Sequence, residues 1–377
     1  MTKSDMLFAL IGSAICGTRI DGLQIRSGEL EELIALAERH DVAHLLARGL
    51  ENCSIKSAEA EKALFKAVYR YEQINYEYES LCAVLEKEQI PYMPLKGAVI
   101  RLLYPEEWMR TSCDIDVLVK ECDLKRAAHA LLKTGAWETD GKREYHDMSL
   151  YSKGGVHLEL HFSIKENTDN IDGLLSEVWD HSVNEGGQRF LQTNEFFVFH
   201  HIAHMSYHFI SGGCGIKPFV DLYVIKNKLK YDGAVVREYC KDCGLEKFYD
   251  NVLYVTDVWF GGAVHTDISR RTEEYILRGG VYGSLENSVA LAHTKKGGKA
   301  KYILSRIFFS YDSLKNQYPV LNKHRWLFPF MQVARWFRFL FKGDFKRSLK
   351  EIKINNSVSS ADAAGIREFL SDIGLGG

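Results

Sequence analysis

The sequence predicts an α+β protein, a small mixed β-sheet core flanked by N-terminal and C-terminal helical regions. Three observations predict it. Residues 4–88 repeat their apolar positions at helical spacing. Residues 90–163 hold short β-type runs punctuated by glycine turns. From about Ile171 onward the pattern is again mainly helical. Four regions follow from that order: a helical region over 1–88, an α/β core over 89–185, a helical region over 186–290, and a helical, aromatic and basic region over 291–377.

The opening MTKSDMLFALIGSAICG pairs one lysine with a short apolar run, as a weak signal peptide does. Asp5 and the amphipathic continuation favour a first helix instead. Ser27-Gly-Glu-Leu-Glu-Glu-Leu33 opens a second helix with a serine cap and an acidic first turn, its apolar positions recurring toward Leu50. A long helix from about Ser57 to Lys87 carries an aromatic stripe, Phe65, Tyr69 and Tyr76, which reads as core. Ile90 to Leu95 is a short strand, and a helix opens at Gly97. Asp114 to Lys120 is a second strand, followed by a helix from Cys122 to Thr134 that ends at Gly135. Glu144 to Ser152 and Val156 to Ser163 form a hairpin around Lys153-Gly154-Gly155. Farther on, Asp267–Arg271 and Thr294–Lys301 read as exposed connectors.

The chemistry concentrates between Pro94 and Lys120. Side chains two apart on a strand share a face, so Asp114 and Asp116 project together while Ile115, Val117 and Val119 line the buried side. Adjacent carboxylates repel each other unless a divalent cation neutralises them, and oxygen-only ligands favour Mg²⁺, with Mn²⁺ an alternative. Gly97, between a strand and a helix, offers backbone N–H groups to a phosphate. On the strand after the hairpin turn, His157, Glu159 and His161 share one polar face. If that strand neighbours the first pair, Glu159 completes a three-carboxylate metal set.

These pieces, Leu95-Lys96-Gly97, Arg110-Thr-Ser-Cys-Asp114-Ile-Asp116-Val-Leu-Val119 and Glu159-Leu160-His161, resemble a bacterial family of nucleotidyltransferases within the DNA polymerase β-like superfamily. The likeness extends through His204–Leu222 and Tyr318–Phe330. The resemblance implies a nucleotidyltransferase core that binds an NTP, with Asp114, Asp116 and Glu159 as metal-binding catalytic residues. It also implies that Glu159 helps deprotonate the acceptor. The superfamily's Gly or Ser after the glycine is Ala98 here, so phosphate binding leans on backbone groups, Lys96 and Arg110.

Other features have plainer readings. His200, His204 and His208 stack on one helix face, which reads as a polar face under the cleft. His161, His204, His208 and Asp221 are candidate substrate contacts. Lys217 and Asp221, one turn apart, read as an ion pair. Gly212-Gly213-Cys214-Gly215 is a connector, and Cys240-Lys-Asp-Cys243 is two thiols near a helix end with no second pair for zinc. The run Trp326–Phe341, followed by Lys342, Lys346, Arg347 and Lys350, reads as an aromatic face buried against the helical domain. Contact with RNA or an anionic membrane is the alternative.

The chain has 377 residues, a formal net charge of −2 and 46% hydrophobic residues. That balance gives no global attraction for nucleic acid, so an unidentified small-molecule or protein acceptor is favoured. The scattered eight cysteines and the lack of a long apolar span favour a cytoplasmic protein without a transmembrane segment. The expectation is a Mg²⁺-dependent enzyme that moves an NMP from an NTP to a hydroxyl and releases pyrophosphate. RNA or tRNA end modification is one alternative. A catalytically weak nucleotide-binding protein is the other, and Ala98 is its best support.

Overall fold

The structure is a computed structural model that describes residues 2–139, 146–166, 168–281, 283–296, 308–311, 314–315, 318–341 and 359–376. They form two compact units: Met1–Tyr207 with Cys214–Val281, and His208–Gly213 with Tyr282–Gly377.

The first unit opens with four helices, α1 (Lys3–Cys16), α2 (Ser27–Arg39), α3 (Ala43–Asn52) and α4 (Ala58–Lys87). The expected helix toward Leu50 is broken in two, because Asp41 takes a left-handed turn at φ 54°. Ser27 is the first helical residue of α2, not its cap; Arg26 holds the cap position. In α4 the residues that pack are Ala60, Ala67, Ile74 and Leu81, one every seven positions, with Leu85. Phe65, Tyr69 and Tyr76 therefore fall on the outer side, each more than 70% exposed. The aromatic stripe is solvent-facing, contrary to its reading as core.

A seven-stranded mixed sheet follows: β1 (Tyr92–Pro94), β2 (Asp114–Val119), β3 (Trp137–Glu138), β4 (Asp147–Ser152), β5 (His157–His161), β6 (Ser182–Gly186) and β7 (Arg189–Gln192). Its order is β3-β4-β5-β2-β1-β7-β6. The predicted hairpin is β4–β5, closed by Ser152 and Gly155. The β6–β7 hairpin is absent from the sequence reading, which made this stretch helical and set a boundary between 185 and 186. Its strands are short and β6 is mostly exposed, so no apolar alternation marks them. The Gly186-Gly187 turn, both residues at positive φ, holds it together. Between the strands lie α5 (Gly97–Ile100), a single turn, α6 (Leu124–Lys133) and α7 (Asp169–Leu175).

One face of the sheet is apolar. Ile115, Val117 and Val119 of β2 and Leu158 and Leu160 of β5 pack with Ile74, Leu81 and Leu85 of α4 and Leu124, Ala127 and Leu131 of α6. Burial of that face fixes the register, since a one-residue slip turns every side chain over. The same constraint points the intervening polar residues to the opposite face.

The unit continues through α8 (Asn194–Ser211) as far as Tyr207, then α9 (Lys217–Lys228), α10 (Gly233–Asp242), α11 (Glu246–Phe260) and α12 (Asp267–Leu277). Phe8 stacks on Trp259 with ring centroids 4.1 Å apart, tying α1 to α11. The expected connector at 267–271 is the first part of α12, started by a capping box between Thr266 and Ser269. Cys240 and Cys243 are buried thiols at the end of α10.

In the second unit α13 (Leu285–Lys296) packs on α15 (Ser360–Asp372) through Val289, Ala290 and Ala363, with α14 (Phe328–Phe341) between them in sequence. The boundary expected at 290/291 falls inside α13, which also takes in the first residues of the expected 294–301 connector; 297–301 lie outside the described residues. Trp326, Phe330 and Phe337 are exposed, contrary to the expected burial. Lys342, Lys346, Arg347 and Lys350 lie outside the described residues. No helix among the described residues is long and apolar enough to cross a membrane.

Candidate active site

The polar face of the sheet gathers residues from three adjacent strands. β2 and β5 pair in parallel, with Asp114 opposite His157 and Asp116 opposite Glu159. β4 pairs antiparallel on the other side of β5, with Asp147 opposite His161 and Ser149 opposite Glu159. Alternation along each strand then lines up Asp114 and Asp116, His157, Glu159 and His161, and Asp147 and Ser149. Ligand atoms of Asp114, His157 and Glu159 lie within 4.8 Å of one another, as do those of Asp116, Glu159 and His161. Glu159 belongs to both sets.

Lys96 closes the face from the β1 side. Its backbone sits at φ 44° and ψ −114°, an unfavourable conformation for a residue with a β-carbon. That turn brings the chain out of β1 so that Lys96 Nζ reaches Asp116 Oδ1 at 3.0 Å. His161 Nε2 meets the same oxygen at 2.9 Å and Glu159 Oε2 at 3.3 Å.

The two aspartates differ in protonation energetics. Burial pushes the Asp116 carboxyl up, but the Lys96 ammonium and His161 more than offset it and hold it well below the usual range. At Asp114 the pull of Lys96 and His157 is weaker and is outweighed. Burial raises its pKa, and the charges of Asp116 and Glu159 raise it further. The hydrogen bond from His161 keeps Glu159 low despite burial. The face carries surplus negative charge that a cation would relieve.

Gly97, expected to face a phosphate, sits in a close-packed corner. A β-carbon there would collide with Ser112 Oγ and come within 3.7 Å of Arg110 Nη1. The guanidinium thus stands beside the glycine, held from behind. Arg110 Nε donates to both carboxylate oxygens of Asp221, at 2.7 and 2.9 Å, and Tyr104 Oη donates to Oδ1 at 2.7 Å. Asp221 is fully buried and its partner is Arg110, not Lys217. Lys217 pairs instead with Asp41, which also accepts from Thr111. Both pairings pin the loop from Tyr104 to Cys113 that carries Ser112 and leads into β2. The expected helix after Gly97 is one turn long, and the Ala98 and Val99 N–H groups already bond Leu95 and Lys96 carbonyls.

The histidines of α8 take different hydrogen-bond partners. His200 Nδ1 bonds Gln192 and His201 Nε2 bonds the Pro218 carbonyl. His204 Nδ1 lies 2.6 Å from Glu166 Oε1, and Glu166 and His204 are both close enough to Lys96 for charge to act between them. His208 belongs to the second unit. None of the metal-spaced clusters among the described residues includes an α8 histidine.

Four residues of this region went unread in the sequence: Ser112, Asp147, Ser149 and Glu166. Asp147 and Ser149 follow from alternation once the Gly154-Gly155 turn sets the hairpin register. Ser112 and Glu166 carry no sequence signal of their own.

No curated protein and no solved structure matches the chain significantly. A family model described as uncharacterised nucleotidyltransferase matches residues 26–261, a span that contains the whole seven-stranded sheet, Gly97 and all the carboxylates above. That match covers more than half of the chain, which therefore belongs to this nucleotidyltransferase family.

Proposed function

We propose that the chain transfers a nucleoside monophosphate from an NTP to a hydroxyl acceptor, a small molecule or a protein, with release of pyrophosphate. The alignment of Asp116 with Glu159 across β2 and β5, Asp114 beside them, carries the reading. Asp114, Asp116 and Glu159 would hold a divalent ion, Mg²⁺ or Mn²⁺, and the fit rests on the mutual repulsion that raises Asp114. When bound, such an ion neutralises phosphate charge and lowers the pKa of an acceptor oxygen.

The chain's own residues divide the remaining work. Lys96 and Arg110 flank Gly97 and offset charge building on the pyrophosphate as it leaves. Asp221 fixes the guanidinium, and Ser112 supplies the hydroxyl that Ala98 lacks. The acceptor oxygen forms its bond to the α-phosphorus, the α–β bridging P–O bond breaks, and Glu159 takes the acceptor proton. All eight cysteines are free thiols, which supports a reducing, cytoplasmic setting.

The test is incubation with each labelled NTP, Mg²⁺ or Mn²⁺ and cell extract. Label should enter one acceptor fraction with stoichiometric pyrophosphate, and Lys96→Ala should weaken the NTP-dependent rise in melting temperature. Equal, negligible pyrophosphate release from wild type and Asp116→Asn with every NTP would overturn the reading.

A further inference from the structure

A metal seat built only of carboxylates has no nitrogen donor; this face has one. His161 Nε2 stands 2.9 Å from Asp116 Oδ1 and 3.3 Å from Glu159 Oε2. Neighbouring donors around one ion at roughly 2.1 Å are spaced about 3.0 Å apart. The two separations are therefore those of adjacent ligands on a single ion, and the ligand atoms of all three residues lie within 4.8 Å of one another.

The other side of the ring makes the second observation. His161 is 3% exposed, and its Nδ1 is buried with no hydrogen-bond partner among the described residues. Asp147, buried and directly opposite on β4, pairs through Oδ2 with His146 Nε2 at 3.1 Å, and ligand atoms of His146, Asp147 and His161 lie within the same 4.8 Å. An imidazole that ligates through one nitrogen normally donates its other N–H to a carboxylate, which fixes tautomer and ring orientation. Asp147, the register partner of His161, is the nearby carboxylate that could take that role by turning from His146 to His161 Nδ1. His157, the other histidine on this strand face, is turned to Ser149 Oγ at 3.0 Å and stacks on Tyr151.

Resting on the nucleotidyl-transfer reading of this face, we propose that His161 Nε2 is a direct ligand of the ion held by Asp116 and Glu159. Asp147 is its positioning residue. Imidazole favours first-row transition ions over Mg²⁺, so a seat with one nitrogen donor prefers such an ion, of which Mn²⁺ is the probe, to Mg²⁺. Lys96 shares Asp116 Oδ1 with His161, so with that oxygen committed to an ion the Lys96 ammonium would be free to pair with the phosphates.

The full-length protein, stripped with chelator and titrated with Mn²⁺, tests this by pulsed electron paramagnetic resonance. Wild type should show coupling from a directly bonded ¹⁴N. His161→Gln should lose that coupling and bind Mn²⁺ at least ten-fold more weakly, with Mg²⁺ affinity much less changed. Asp147→Asn should keep the coupling but weaken Mn²⁺ binding roughly 10-fold, as loss of an outer-shell partner does. Mn²⁺ bound without ¹⁴N coupling in wild type would overturn the proposal and leave His161 as an orienting group for Asp116. Coupling that survives in His161→Gln would overturn it in favour of His157. A wild-type spectrum without ¹⁴N coupling overturns the proposal even where a variant fails to fold, and His157→Gln, which should keep the coupling, assigns it to His161 independently of the His161 variant. Label transfer with Mg²⁺ in a protein showing no ¹⁴N coupling would sink this assignment alone and leave nucleotidyl transfer standing.

Discussion

Asp116 and Glu159 are direct register partners across the parallel β2–β5 ladder, and the apolar residues between them lock that register. Two carboxylates are thereby set side by side on one rigid surface, with Lys96 bridging to only one of them.

This asymmetry separates the two aspartates in metal-free protein. Asp114→Asn removes a carboxylate that repels its neighbours and should raise the melting temperature. Asp116→Asn replaces the carboxylate shared by Lys96 and His161 with a neutral amide, losing the charge that both pair with, and should lower it. Both should cut nucleotide turnover by orders of magnitude. Melting curves in chelator together with pyrophosphate release check the pair of signs.

Gly97→Ala should destabilise the protein by about 1–3 kcal/mol, because the added methyl collides with Ser112 Oγ. Ser112→Gly in the same chain removes the obstacle. The double variant should recover much of that loss in urea unfolding, while both variants bind NTP more weakly than wild type.

Asp221→Ala leaves Arg110 and Tyr104 buried without their common acceptor. Breaking a buried pair in this way costs about 3–5 kcal/mol. The urea midpoint should fall accordingly, and the NTP-dependent stabilisation should shrink because the guanidinium beside Gly97 is no longer held.

Acid sensitivity should come from buried imidazoles. Burial pushes His44 down to about 4 from an ordinary 6.5, and His40 behaves alike. The unfolded chain therefore takes up protons first. Stability is intact above pH 6.5 and falls as pH drops toward 4, by on the order of 3 kcal/mol per group. His44→Gln keeps a donor for the Met109 carbonyl, and its unfolding midpoint should vary less steeply with pH over that window.

The central strands were legible because burial writes itself into sequence. Ile115 and Val117 alternate with Asp114 and Asp116 before the strand becomes apolar throughout at Val117–Val119, and Gly154-Gly155 marks the turn that presents Glu159. The β6–β7 hairpin was not, since its exposed residues need no apolar rhythm. The aromatic stripe of α4 misled for the opposite reason. Small residues such as Ala60 and Ala67 do the packing there, and hydrophobicity ranks them below Phe65 and Tyr69. Within the site, short-range features were readable, but the partners of Asp221 and Lys217 are set by tertiary approach. Arg110 and Asp41 lie 111 and 176 residues away from them.

The parallel pairing of β2 with β5 also has a consequence for the order of events in folding. Parallel neighbours cannot be joined by a tight turn, and here α6, β3 and β4 all intervene. Asp116 and His161, 45 residues apart in sequence, meet only when that whole excursion has closed. Contacts of such separation form late, after the entropy of the intervening chain has been given up. A nascent or partly unfolded molecule therefore holds its acidic and imidazole groups apart and gathers no ion. The assembled face appears only once the sheet has closed, so metal uptake should serve as a kinetic marker for closure of the β2–β5 pairing during refolding.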